Sequence, residues 1–476
     1  MDMGAGSIRV MLGAISNNVL ELKEVHRFAN EIKVLKGKDT WDKEQISMEI
    51  QKGIAQAIRE SDQLPLSVGV DSWGVDYVLL DEHGGLVDTP YAYRDKRTEG
   101  MQELWRERMS DSETFARSGI NSYVFNTLYQ LLSAAGSPVL RRSARILFVP
   151  CYINYLLSGV AVNELSIAST SQMLRVDGGD WDSTILEKLE LEKDRLGKVV
   201  LPGTRLGPVR MKEFKDKALE NVAVCGHDTA CVVAALPVEN PNFAFISAGT
   251  WCIVGLESDR PLISEEARRL GITNERTYGS GYRPLKNIVG LWLLQGLRKE
   301  LAGGLSFEQM EAMIGEERDM AQVIDPDDPL FYNPSSMKEA FNAFFQKTGQ
   351  AAPEAFSDYI RCAYDSLCFS FRFHVEELER LSGKGIEVLH LVGGGSQSDY
   401  FCQRVATLCS RRVISGPVEG ASMGNVLIQA IAMGAIGDLN EGRELVKRSC
   451  PVKEYEGRAL STNLEERYKK YLSIKA

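Results

Sequence analysis

Val388-Leu-His-Leu-Val-Gly-Gly-Gly-Ser396 is a short run, apolar but for His390, that stops on three consecutive glycines. Its length suits a buried strand, and glycine lets the following turn bring backbone N–H groups close to a ligand. Before it, Ile360, Tyr364, Leu367, Phe371, Val375 and Leu378 recur at helical spacing and trace a long amphipathic helix. The same strand-then-glycine arrangement returns at Asp2-Met-Gly-Ala-Gly-Ser7 and Ile246-Ser-Ala-Gly-Thr-Trp251. In the first half, Ile46, Ile50, Ile54 and Ile58 mark one face of a helix beginning near Asp42. Two strands follow, Leu66–Val70 and Val75–Leu80, joined across Asp71-Ser-Trp-Gly74, and Glu82-His-Gly-Gly85 reads as a reversal. Strands alternating with helices along the whole chain predict an α/β fold.

The chain has 476 residues, more than one hydrophobic core usually supports, so two domains are expected. The most natural division lies at Pro237-Val-Glu-Asn-Pro241, where two prolines bracket a polar turn, giving domains 1–237 and 238–476. Acidic residues outnumber basic ones, 65 to 55, for a formal charge of −10. Nucleic acids and anionic membranes call for clustered Lys and Arg, so neither is an expected partner. A nucleotide held by backbone N–H groups and a metal remains compatible with that charge. Asp2 comes almost at once, so a basic-then-apolar signal segment is not expected from these first residues. The uncharged stretches Ile146–Asn163 and Gly420–Gly437 contain Pro, Asn, Gln or several Gly and read as buried elements rather than membrane spans. The nine cysteines are scattered without a CxxC pair. That disfavours a zinc site or disulfide framework and makes a reducing cytoplasm the expected setting.

One glycine turn is weak evidence of a nucleotide, but three in an α/β chain, two with adjoining hydroxyls, suit phosphate binding. None matches GxxxxGK[ST], so a Walker-type ATPase is disfavoured. Gly226-His-Asp-Thr229 follows the apolar run Val222–Val224. On the residues alone, Asp228 reads more simply as the N-cap of a helix starting at Thr229; the other reading is a general base that takes a hydroxyl proton. Asp2, just before the first glycine turn, is either an idle terminal residue or a carboxylate that holds Mg²⁺ through water.

The segments Asp2–Arg9, His26–Phe28, Trp41-Asp42, Asp71–Leu80, Ala92–Asp95, Arg97-Thr98, Phe125–Gln130, His227–Thr229, Ser247–Trp251, Lys286–Gln295, Gly393–Gly395 and Gly416–Asn425 fall in order along nearly the whole chain. Together they resemble the FGGY carbohydrate kinases, most closely the members acting on L-rhamnulose. The resemblance implies two actin-like ATPase (ribonuclease H-like) domains around a central cleft that closes on its ligands, each with a mixed five-stranded sheet. It implies ATP as co-substrate with Mg²⁺, and a small-molecule ketose phosphorylated at O1. L-fuculose or another ketose is the alternative substrate, and a non-catalytic ATP-driven switch the alternative class. By position, Asp228 is the implied proton acceptor, and Gly74, His227, Asp228, Thr229 and Asn287 the implied sugar contacts. Ala5, Gly6, Ser7, Ile8 and Arg9 form the implied first phosphate loop, Thr250, Gln295 and Gly394 meet ATP, and Asp2 and Asp228 lie at the metal.

Several residues depart from the family pattern or resist a single reading. Cys151 stands in Pro150-Cys-Tyr152 where relatives carry Asp, which predicts a poorer helix cap. Ser396-Gln-Ser398 replaces a Cys-Gln-Asn and leaves the adenine side open. Trp251 is expected in the core; Trp73 is balanced between core packing and stacking on a sugar. Only Met1 precedes Asp2, although a phosphate loop of this kind hangs from a strand of about five residues. The expectation is an apolar, β-branched segment upstream of Asp2 in the natural protein.

Overall fold

Ile46, Ile50 and Ile54 line the buried face of the helix Lys43–Glu60, which Asp42 opens by accepting the Gln45 N–H at 3.0 Å. The computed structural model describes residues 1–301, 304–315 and 319–475. They form two compact units, and the chain first leaves the first unit after Pro237. The units are discontinuous: Glu257–Pro284 and Glu419–Ser449 return to the first, so a single cut at 237/238 does not separate them. The physical reason is packing. The helix Gly420–Ala432 lies on the helix Asp228–Ala234, and Ile428 shares a core with Val222, Cys231 and Ala234.

In the first unit, strands Val19–Ala29, Ser7–Ser16, Asp2–Met3 and Asp71–Ser72 lie side by side. The pairs between the first three are antiparallel, and Asp2–Met3 runs parallel to Asp71–Ser72. Ser67–Gly69, just upstream, pairs in parallel with Glu220–Ala223, and Thr204–Pro208 closes that edge antiparallel. In the second unit the order is Tyr282–Val289 (from Leu285 on), Trp251–Gly255, Phe243–Ala248, Val388–Val392, Arg412–Ser415 and Lys453–Tyr455. Here too the central strand, Phe243–Ala248, has antiparallel neighbours on one side and parallel strands followed by an antiparallel edge on the other. Six strands of this seven-stranded sheet lie in the second unit, where five are expected, and Thr273–Arg276 of the first unit is the seventh.

The apolar run 388–392 and the periodicity of 360–378 correspond to the strand Val388–Val392 and the helix Phe356–Ser382. Cys151 is not a cap. The helix Val149–Ser158 starts two residues earlier, and the Cys151 thiol is buried, accepting the Glu164 N–H at 3.3 Å. Ser398 caps the helix Asp399–Cys409 by accepting the Phe401 N–H at 2.9 Å. Trp251 is not core: it is 48% exposed beside Tyr332, because the end of its strand lies at the surface of its unit. Trp73 is core, 6% exposed and packed on Trp41 with ring centroids 4.5 Å apart and the planes tilted by 45°. Among the described residues no helix is long and apolar enough to cross a membrane.

The contact between the helices Asp228–Ala234 and Gly420–Ala432 tolerates no side chain at Gly424, where a Cβ would lie 1.9 Å from the Cys231 carbonyl oxygen. Gly424→Ala should therefore cost about 3 kcal/mol by overpacking and lower Tm by roughly 5–10 °C. Gly385→Ala, where a Cβ would meet nothing within 4 Å, should leave the melting curve unchanged. Equal shifts in the two variants would show that the close approach is not needed.

Candidate active site

Asp2 and Asp71 are register partners on adjacent parallel strands, 6% and 0% exposed. Two like carboxylates side by side and out of water need compensation. Asp2 receives it at Oδ2 from the Arg9 guanidinium and from the Ser422 hydroxyl at 2.9 Å; Arg9 also reaches Glu419. Asp71 accepts the Asn425 amide at Oδ2, 2.5 Å, while its buried Oδ1 has no hydrogen-bond partner. Burial, and then the charge of Asp2, hold the Asp71 pKa well above the usual carboxylate range; the Met1 ammonium and the Asn425 amide pull the other way. The first two turns of the helix Gly420–Ala432 thus serve both strands.

Asp228 opens the next helix, beyond the neighbouring parallel strand Glu220–Ala223. It occupies the first helical position rather than the N-cap, which is His227. The simpler reading of Asp228 as a cap is thereby corrected, because the chain turns helical one residue earlier than expected. Its Oδ1 accepts the Thr229 N–H at 2.6 Å and the Thr229 hydroxyl at 3.0 Å. His227 Nε2 stands 3.4 Å from the same oxygen, so every bond given to this carboxyl falls on Oδ1. The side chain stays 32% exposed, yet desolvation raises its pKa, opposed by His227 and reinforced by Asp2.

The His227 ring is fixed by its other edge. Nδ1 lies 2.9 Å from Glu275 Oε2 and 2.6 Å from Arg283 Nη2, and Arg283, fully buried, also pairs with Glu275. Burial alone would raise the Glu275 carboxyl, but Arg283 and then His227 bring it down to about 2. The His227 backbone is set by Ser166, whose hydroxyl accepts its N–H at 3.2 Å, and Glu164 accepts the Gly226 N–H at 2.7 Å. Gly74 sits across from this ring: a Cβ there would lie 3.5 Å from His227 Nε2. Ser72 forms a parallel bridge to His227, and its N–H donates to the Gly226 carbonyl at 2.9 Å. The structure therefore brings Asp2, Gly74, His227, Asp228 and Thr229 together within the first unit.

Of the first glycine loop, Gly6 is exposed and Ala5 and Ser7 are half-buried. Ile8 is buried in the core, and the Arg9 side chain is committed to carboxylates. In the second unit, Thr250 is exposed on the turn after Phe243–Ala248. Leu291 N–H donates to the Gly249 carbonyl at 2.9 Å and Trp292 N–H to the Thr250 carbonyl at 3.2 Å, which tie that turn to the helix Trp292–Leu301. That brings Gln295 within 3.3 Å of the Thr250 hydroxyl. Gly393 needs its φ of +80°, and a Cβ there would meet the Ala248 carbonyl at 2.9 Å; Gly394 is exposed with nothing within 4 Å of an added Cβ. Asn287 lies on the strand Tyr282–Val289 opposite Ile253, and Gln295 on the helix Trp292–Leu301 that follows.

The first unit carries a glycine turn and strand-end carboxylates, the second glycine turns beside a hydroxyl and an amide, and comparison with known proteins explains the combination. The FGGY family of carbohydrate kinases matches with its N-terminal domain over residues 1–236 and its C-terminal domain over residues 244–433. This chain is 36% identical to a protein of Bacteroides thetaiotaomicron named rhamnulokinase, over 96% of this chain and 94% of the relative. The chain belongs to the FGGY carbohydrate kinases. A rhamnulokinase of Bacillus subtilis is 33% identical over 96% of this chain and 94% of its own length. Among solved structures, a ligand-bound xylulose kinase of Lactobacillus acidophilus superposes with a TM-score of 0.82 at 15% identity, covering 100% of this chain and 96% of that one. This likeness supports the two-domain actin-like fold. As a carbohydrate kinase of this family, the protein takes a sugar and ATP as its substrates.

Sequence reading missed Glu164, Glu275, Arg283, Glu419 and Ser422 as parts of this candidate site. The signal for Glu275 was present but disguised: Thr273-Asn-Glu-Arg276 reads as polar loop, yet it is a fully buried strand. Charged residues in a buried strand must find partners: Glu275 finds His227 and Arg283, and Arg276 donates to the Gly178 and Ser280 carbonyls.

The depressed Glu275 carboxyl predicts a sign. Stability from this group is full above its ordinary value of 4.5 and is lost as pH falls toward about 2, a contribution of roughly 3 kcal/mol. Glu275→Gln should lower Tm at neutral pH and flatten the dependence of stability on pH between those limits. An unchanged acid-unfolding profile in that variant would remove Glu275 from the account.

Proposed function

We propose that this kinase transfers the γ-phosphoryl group of ATP to the O1 hydroxyl of L-rhamnulose, with Asp228 as proton acceptor. The observation that carries the reading is the Asp228 carboxyl. All its given bonds fall on Oδ1, leaving Oδ2 to meet a sugar hydroxyl. A carboxylate whose pKa is raised holds a proton more tightly than a surface carboxylate, which suits a general base. His227, held by Glu275 and Arg283, and the Gly74 turn give the sugar a fixed wall. Asn287 is the sugar contact proposed from the second unit. The choice of L-rhamnulose rests on relatives named rhamnulokinase at 33–37% identity over nearly the whole chain.

The ATP phosphates are assigned to backbone N–H groups of Ala5–Ser7, with Ile8 and Arg9 contributing through backbone only. In the second unit, Thr250, Gln295 and the open face of Gly394 are assigned to ATP. The residues present fit Mg²⁺. Arg9 and Ser422 both take Oδ2 of Asp2, which leaves its Oδ1, and Asp228 lies in the same cluster of mutually repelling carboxylates. Among the described residues no three His, Cys, Asp or Glu converge as a ready-made cage, which suits a cation that keeps waters and phosphate oxygens as ligands. When bound, Mg²⁺ supplies positive charge against the transferring phosphoryl oxygens.

Asp228→Asn should cut kcat by roughly 10²–10⁴-fold while the KM values for sugar and ATP change little. Near-normal turnover would reduce Asp228 to a helix brace. In a panel of ketoses L-rhamnulose should give the highest kcat/KM. If L-fuculose exceeds it by about tenfold, a discrimination worth about 1.4 kcal/mol, the substrate assignment fails. ADP release that needs no sugar would favour an ATP-driven switch.

A further inference from the structure

Val75 is β-branched, yet its φ is +67°, a left-handed conformation such residues avoid. It lies between Gly74, which faces His227, and Asp76, and the surroundings hold it from every side. Its N–H donates to the Thr170 hydroxyl at 3.1 Å, and its carbonyl accepts the Thr127 hydroxyl at 2.6 Å. Asp76 N–H donates to the Gly74 carbonyl at 2.9 Å, which tightens the turn. The Asp76 carboxyl is 1% exposed. Its Oδ2 accepts the indole N–H of Trp41 at 2.7 Å, that of Trp73 at 2.9 Å and the Tyr93 N–H at 3.2 Å. Its Oδ1 accepts the Gln130 amide at 3.2 Å, and Gln130 in turn accepts from Arg97 at 2.6 Å.

We propose that Asp76 is a positioning residue for the sugar: by gathering Trp41, Trp73, Tyr93 and Gln130 it holds Val75 in its strained turn and sets Gly74 at its distance from His227. Backbone strain persists only where its surroundings over-determine it, and it concentrates at ligand-binding turns. Four donors converge on this carboxylate, and only an acceptor on both oxygens satisfies them. Asn at this position would turn one oxygen into a donor facing donors. Asp76 touches no reacting atom and acts through Trp73, Gly74 and Val75. Burial raises its pKa to about 6 against the pull of the two indoles, Gln130 and Arg97, so the carboxyl is kept at that place in spite of desolvation. The inference rests on the reading that the Gly74–His227 wall receives the sugar.

The test compares Asp76→Asn, Thr127→Val and the double variant Asp76→Asn/Val75→Gly with the wild-type enzyme, using L-rhamnulose and ATP. Asp76→Asn should raise the sugar KM by about 10–100-fold, the cost of leaving a buried polar group unpaired. The ATP KM and sugar-independent ATP hydrolysis should not change. Near-ultraviolet circular dichroism should report the altered Trp41–Trp73 pair. Thr127→Val, which removes one bond to Val75, should raise the sugar KM several-fold in the same direction. Glycine at position 75 carries no left-handed penalty, so the double variant should recover part of the lost sugar affinity. Should Asp76→Asn fail to fold, Thr127→Val decides. An unchanged sugar KM in Asp76→Asn or Thr127→Val, equal losses for sugar and ATP, or no recovery in the double variant would overturn the proposal. A wild-type enzyme that takes up no ketose would instead overturn the assignment of the sugar wall itself.

Discussion

Three carboxylates, Asp2, Asp71 and Asp228, lie in one cluster, where the charge of Asp2 raises the cost of ionising both Asp71 and Asp228. Two full charges about 5 Å apart repel by roughly 3 kcal/mol at an effective dielectric of 20, a sizeable share of a domain's stability of about 5–15 kcal/mol. The rest of the first unit is arranged around that repulsion. Arg9 and Ser422 offset Asp2, Asn425 donates to Asp71, and Thr229 holds one oxygen of Asp228. Three of these partners come from the sequence around 9 and 422–425, which is why the helix Gly420–Ala432 belongs to the first unit and needs the bare backbone of Gly424 to dock.

The same topology serves both units. In each, a glycine turn links the central strand to its antiparallel neighbour, at Gly4–Gly6 and at Gly249. In each, another functional turn follows the next parallel strand, Trp73–Asp76 in the first and Gly393–Gly395 in the second. Open α/β sheets place ligands beyond the carboxyl ends of their strands. The turns proposed for sugar and for nucleotide thus share one structural position filled with different chemistry: a tryptophan–aspartate anchor in one unit and unobstructed glycine in the other.

Much of this was legible in the chain. Periodicity located the helices at 43–60 and 356–382, and the two later glycine turns and Asp228 stood out because each follows an apolar run. What stayed hidden is tertiary. Glu275 and Arg283 meet His227 from about fifty residues away in sequence, and Ser422 meets Asp2 across 420 positions. A local pattern of residues has no means of announcing such pairings. Trp251 and Cys151 were misjudged for the converse reason: an aromatic in a strand is core only if something covers it, and a cysteine near a helix start is a cap only if the helix starts there. The strain at Val75 was invisible because no residue type at that position favours it.

The most direct test of the carboxylate account is the pH dependence of kcat/KM for the sugar, measured for the wild-type enzyme and for Asp2→Asn. The account predicts a single-proton acid limb above the ordinary aspartate value of about 3.9, moving to lower pH when the charge at Asp2 is removed. A limb at the ordinary value, or one that Asp2→Asn leaves in place, would contradict it.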